Sequence, residues 1–176
     1  MYGFAEEHLS RRTIVWLVPV LLTFHNAEEA FAFRSYMPRM GALLPEPFAT
    51  LEASLSYSTM LAALTVLSVL AFLVAVGVSA RPQSRGMLWV LLALEAAVAV
   101  NVIAHLIGAV AIFHGYGPGL ATAVFINAPF AIYVFRRARR EQWLSVPALR
   151  STLPAALVLH GPVLLGGLWL ASLASR

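Results

Sequence analysis

Residues 13–33, TIVWLVPVLLTFHNAEEAFAF, limit this chain more tightly than any other stretch. They are long enough and apolar enough to cross a bilayer, yet they carry His25, Glu28 and Glu29. A charged side chain near the centre of a membrane helix costs about 2.5–3.5 kcal/mol on insertion scales. Two adjacent carboxylates at that depth need other helices to surround them with partners. The run could be mistaken for a signal peptide, since Ala30-Phe31-Ala32 fits a small-x-small cleavage pattern. Its apolar core is broken by HNAE, so we expect it to be retained.

The rest of the chain agrees with a membrane setting. Hydrophobic residues make up 60% of it and charged residues 11%, against about 25% charged in soluble domains. There is no cysteine, which excludes disulfides and thiolate chemistry. Every cation is Arg and every carboxylate is Glu, so a lysine Schiff base is excluded too. The net charge of +4 comes from arginines flanking apolar runs, where they act as orientation signals. No basic-aromatic module is present, and nucleic acid is not an expected partner.

The expected fold is a single all-α domain, 1–176, with five transmembrane helices at about 13–33, 57–79, 87–113, 120–135 and 153–173. A connection over 34–56, broken by Pro38, Pro45 and Pro47, is expected to form an outer loop with a short interfacial helix within 46–56. Placing the N-terminus in the cytoplasm puts Arg11, Arg12, Arg81, Arg85, Arg136, Arg137, Arg139, Arg140 and Arg150 inside. Only Arg34, Arg39 and Arg176 then fall outside.

At about 1.5 Å per residue, His25, Glu28, Glu29, Asn101 and His105 reach similar depths in the outer half of the core, and Asn127 descends to the same level. His25, Glu28 and Glu29 stand at i, i+3 and i+4 on one helix side, as Asn101 and His105 do at i and i+4. The spacing His-x-x-Glu-Glu is close to the His-x-x-Glu-His of zinc hydrolases. With His105 as third ligand, His25, Glu29 and His105 form a two-His-one-carboxylate set suited to a divalent metal, zinc or iron. Glu28 would then activate a bound water, and Asn101 would orient a ligand. Glu95 lies lower and to one side of Asn101 and His105, at the depth of His160, which suggests a separate inner pair. Asn127 reads first as a helix-helix hydrogen bond.

His25-Asn26-Ala27-Glu28-Glu29, then Glu95, Asn101 and His105, then Tyr116-Gly117-Pro118-Gly119 with Thr122, together resemble the HXXEE family of small bacterial integral membrane proteins. The resemblance covers roughly residues 14–136. It implies that these residues form one set, Glu95 included, and a bacterial plasma-membrane location. It implies no activity, since the family is described as of unknown function.

The leading expectation is an intramembrane metal-dependent enzyme acting on a small lipophilic substrate. Three readings compete with it. One is a proton- or cation-coupled transporter or ligand-binding module, although no repeat symmetry supports it. Another is a metal-free acid/base isomerase using a His/Glu pair. The last is a structural role, with Glu29 paired to Arg34 or Arg39 and the histidines joining helices.

Overall fold

Three of the long helices start at a serine. The Oγ atoms of Ser10, Ser56 and Ser84 accept from the backbone N–H of Thr13, Thr59 and Met87 at 3.0, 3.1 and 3.3 Å. Each cap satisfies a donor that the first helical turn leaves without a partner. The computed structural model describes residues 9–44, 46, 48–53 and 55–174. Over these the helices are α1 (Arg11–Leu43), α2 (Phe48–Ala53), α3 (Tyr57–Ala80), α4 (Arg85–Ala111), α5 (120–140), α6 (Val146–Arg150) and α7 (152–174).

Short connections make consecutive long helices alternate in direction. We call the end where α1 begins the lower end. α4 runs through the middle of the bundle and packs against α3, α5, α7 and α1. It is accordingly the helix with the most buried positions, from Leu88 to Gly108. Among the described residues, three stretches are long and apolar enough to cross a membrane: Tyr57–Ala80, Arg85–Ala111 and Val146–Leu170. The lower half is filled by one apolar cluster that includes Ile14, Val18, Leu88, Leu91, Leu92 and Val134. The polar residues sit above it.

Two boundaries differ from the sequence reading. α1 continues ten residues past Phe33, through Pro38, to Leu43. Pro38 removes one helical hydrogen bond, the one to the Arg34 carbonyl. Arg34, Ser35 and Pro38 are exposed, so water can take the place of that bond. The connection is therefore partly helix, and the short helix expected within 46–56 is the single turn and a half of α2. Pro45, Pro47 and Arg176 lie outside the described residues, as does the side chain of Arg39. α5 likewise runs past residue 135 to Arg140, with Arg137, Arg139 and Arg140 in its last turn. Cations there are favoured by the helix dipole.

α5 and α7 each contain a π turn, Ala123–Asn127 and Leu159–Val163. Both stand at a proline, Pro129 and Pro162, which cannot supply the N–H of a regular ladder. The turn in α5 closes through the Ala128 N–H to the Ala123 carbonyl. Its consequence is rotational. Residues five apart in a plain α-helix point about 140° away from each other. An i to i+5 turn brings them back toward one side. Thr122 and Asn127 both face into the bundle for this reason.

Candidate metal centre

α1 delivers its polar residues to three different neighbours. Asn26, 5% exposed, turns to α3 and donates through Nδ2 to the Leu64 carbonyl at 3.1 Å and to Ser68 Oγ at 2.9 Å. Glu28 turns to the start of α5. His25 and Glu29, one turn apart, meet His105 of α4.

That meeting is close. His25 Nε2 lies 3.2 Å from His105 Nε2. Glu29 Oε1 lies 3.2 Å from His105 Nε2 and 3.8 Å from His25 Nε2. The two imidazoles meet edge to face with centroids 4.8 Å apart. Asn101 Nδ2 is 2.7 Å from His25 Nε2 and 3.1 Å from His105 Nε2. His25, Glu29 and His105 thus form a group that could hold a metal ion. His25 is fully buried, whereas Glu29 and His105 keep 13% and 14% of their side chains exposed. The centre is closed on one side and reachable on the other.

The far side of His25 fixes its tautomer. Its Nδ1 is 2.8 Å from Thr122 Oγ1. The Thr122 hydroxyl donates to the Gly119 carbonyl at 3.4 Å, which leaves its oxygen to accept from Nδ1–H. The lone pair then sits on Nε2, where it accepts from Asn101 Nδ2 at 2.7 Å on the side that faces His105 and Glu29. Metal-binding histidines are oriented by this kind of second hydrogen bond.

Glu28 does different work from its neighbour. Its Oε1 accepts from the Tyr116 hydroxyl at 2.5 Å and the Ala121 N–H at 3.0 Å, and its Oε2 accepts from the Thr122 N–H at 2.6 Å. Gly119, at the N-cap of α5, has no side chain to offer. Glu28 caps that helix from α1, where a carboxylate also meets the positive end of the helix dipole. The expected catalytic base is therefore engaged by three donors, outside the His25/Glu29/His105 group.

The turn over the centre is held from both sides. Tyr36, on the part of α1 expected to be loop, donates to the Tyr116 carbonyl at 2.8 Å. Its ring meets Phe113 edge to face at 5.5 Å. Burial and the Glu28 carboxylate together push the Tyr116 hydroxyl up to about 12 from 10.0. Its contribution to stability is thus fully present below pH 10.0 and is lost as pH rises through about 12. Tyr116→Phe should lower stability by about 1–2 kcal/mol at neutral pH. It should also remove the alkaline step from a thermal-melting series run against pH. A step that persists in Tyr116→Phe would assign it to another group.

The remaining expected residues divide. Asn101 joins the centre. Glu95 and Asn127, each 1% exposed, lie below it. Among the described residues Glu95 forms no pair with His160. Glu29 faces the imidazoles, not Arg34. Asn26 was signalled only within the His25-Asn26-Ala27-Glu28-Glu29 run of the family resemblance, and its contact with α3 was not expected. Tyr116 and Thr122 were signalled only by the family resemblance.

The family described as protein of unknown function with HXXEE motif matches residues 16–134. The chain belongs to the HXXEE family. The motif in its name is His25-x-x-Glu28-Glu29, and its three named residues serve the two tasks just described, His25 and Glu29 facing His105 while Glu28 caps α5. The match ends before α6 and α7, so the HXXEE region by itself contains the three ligand candidates, the cap and the covering turn. No curated protein and no solved structure matches the chain.

Proposed function

We propose that this protein is a five-span integral membrane protein that binds one divalent metal at His25, Glu29 and His105. The metal would act as a Lewis acid on a small lipophilic substrate. The observation that carries this reading is the triangle of donor atoms, with sides of 3.2, 3.2 and 3.8 Å. Ligands bonded to a tetrahedral zinc at 2.0–2.2 Å stand about 3.3–3.6 Å apart. Two imidazole nitrogens and one carboxylate oxygen suit zinc or non-haem iron, and both leave positions open. Partial exposure of Glu29 and His105, in a chain that is 60% hydrophobic, supports an apolar substrate. In this reading Glu28 holds the cover of the site in place and does not activate water. Among the described residues, nine arginines at the lower end against Arg34 and Arg39 elsewhere support a cytoplasmic lower end.

The apolar cluster beneath the centre speaks against a transport path. Leu91 and Leu92 are fully buried, Leu88 is 4% exposed, and Ile14 and Val18 close the same layer from α1. A hydrated or charged cargo would have to displace that packing.

Elemental analysis of protein purified without chelator tests the reading. About one zinc or iron per chain is expected. His105→Ala should weaken metal binding by about 100-fold or more, because it removes the one ligand that α4 supplies. Metal below about 0.2 per chain, with His105→Ala folded and indistinguishable from the parent, would leave the metal-free His/Glu acid–base reading in its place.

A further inference from the structure

Below the metal centre are two buried polar atoms that the centre does not use. Glu95 Oε1 and Asn127 Nδ2 have no hydrogen-bond partner among the described residues, and each residue is 1% exposed. One is an acceptor and the other a donor. Their helices touch: the π turn Ala123–Asn127 packs against α4.

Their level can be counted from shared hydrogen bonds. Asn101 and Thr122 both reach the His25 ring, so they stand at one height. Glu95 is six residues down α4 from Asn101, a descent of about 9 Å. Asn127 is five residues down the antiparallel α5 from Thr122, about 7–8 Å. The unmatched acceptor and the unmatched donor are therefore neighbours in height on contacting helices. The π turn swings Asn127 onto the inward side that a plain α-helix would deny it.

We propose that a captive water bridges Glu95 and Asn127, donating to Glu95 Oε1 and accepting from Asn127 Nδ2. Unmatched polar atoms this deeply buried carry a full desolvation penalty, and internal waters occupy such places because they remove it. Immediately below, Leu88, Leu91 and Leu92 of α4 and Val134 of α5 are buried in the apolar cluster. The water therefore exchanges upward, toward Asn101 and the His/Glu centre. It forms a blind polar branch of that site, not a stage in a route through the bundle. The inference stands whether or not the centre above holds a metal.

A double-variant cycle with an isotope probe tests it. Glu95→Leu and Asn127→Leu should each lower the melting temperature in detergent. The pair together should melt no lower than either alone, because the water and both of its partners leave as a unit. Infrared difference spectra on exchange into H2(18)O should show a shifted water O–H stretch in the parent and lose it in either variant. Glu95→Gln, which keeps an oxygen for the water, should retain the band and covers the case in which a leucine variant does not fold. Additive melting losses, or the same spectrum in parent and double variant, would overturn the bridge. Liposomes containing the parent protein should hold a pH gradient as long as empty ones. A faster decay would overturn the blind branch.

Discussion

Gly119→Ala is expected to empty the metal site proposed at His25, Glu29 and His105. Gly119 has a φ of +78°, a region that costs an L-residue about 1–2 kcal/mol. A Cβ there would also fall 2.7 Å from Glu29 Cγ, 2.7 Å from His105 Cε1 and 2.8 Å from His25 Cε1. All three candidate ligand side chains would have to move at once, and packed sites resist such insertion by about 1–3 kcal/mol. The expected result is a stability loss of about 2–5 kcal/mol and a metal affinity lower by at least about tenfold. Gly115→Ala is the control: the nearest atom to its Cβ would be the Phe113 carbonyl oxygen at 4.0 Å, and it should change neither. Melting temperature and metal content of the two variants can be read from the same preparations. A Gly119→Ala protein that keeps its metal would show that the turn does not rest on the ligands.

The sequence made part of this site legible and concealed another part, for geometric reasons. His25 and Glu29 repeat at one helical turn, and counting depth along the spans brings His105 to their height, so the three ligand candidates could be read directly. The division between Glu28 and Glu29 could not. They differ by about 100° around α1, and which of them meets α4 and which meets α5 depends on where those helices pack. Asn127 was legible by its depth and Thr122 through the family resemblance, but their shared direction was not. On a regular helical wheel they cannot both point inward, and only the π turn reconciles them. Gly119 looked like part of a turn. That its bare α-carbon rests on two imidazoles and a carboxylate side chain is a tertiary fact. Pro38 misled in the opposite sense, since a helix end exposed to water tolerates one missing hydrogen bond.

The separation of the two adjacent glutamates can itself be measured. Glu28→Ala leaves the N–H groups of Ala121 and Thr122 and the hydroxyl of Tyr116 without their acceptor. Loss of a helix cap and of charge-assisted hydrogen bonds should lower stability by about 2–4 kcal/mol. Glu28→Gln keeps the shape, but its amide can accept at only one of the two positions. It should lose about half as much and keep its metal, because no atom of Glu28 belongs to the donor triangle. Glu29→Gln should show the reverse pattern. It removes a ligand charge from a position that caps no helix, so metal is lost while the metal-free melting temperature moves little. Were Glu28 the base of a metal-bound water instead, Glu28→Gln would bind metal, melt like the parent and fail only in turnover. Melting temperature and metal content together therefore separate an anchoring carboxylate from a catalytic one before any substrate is known.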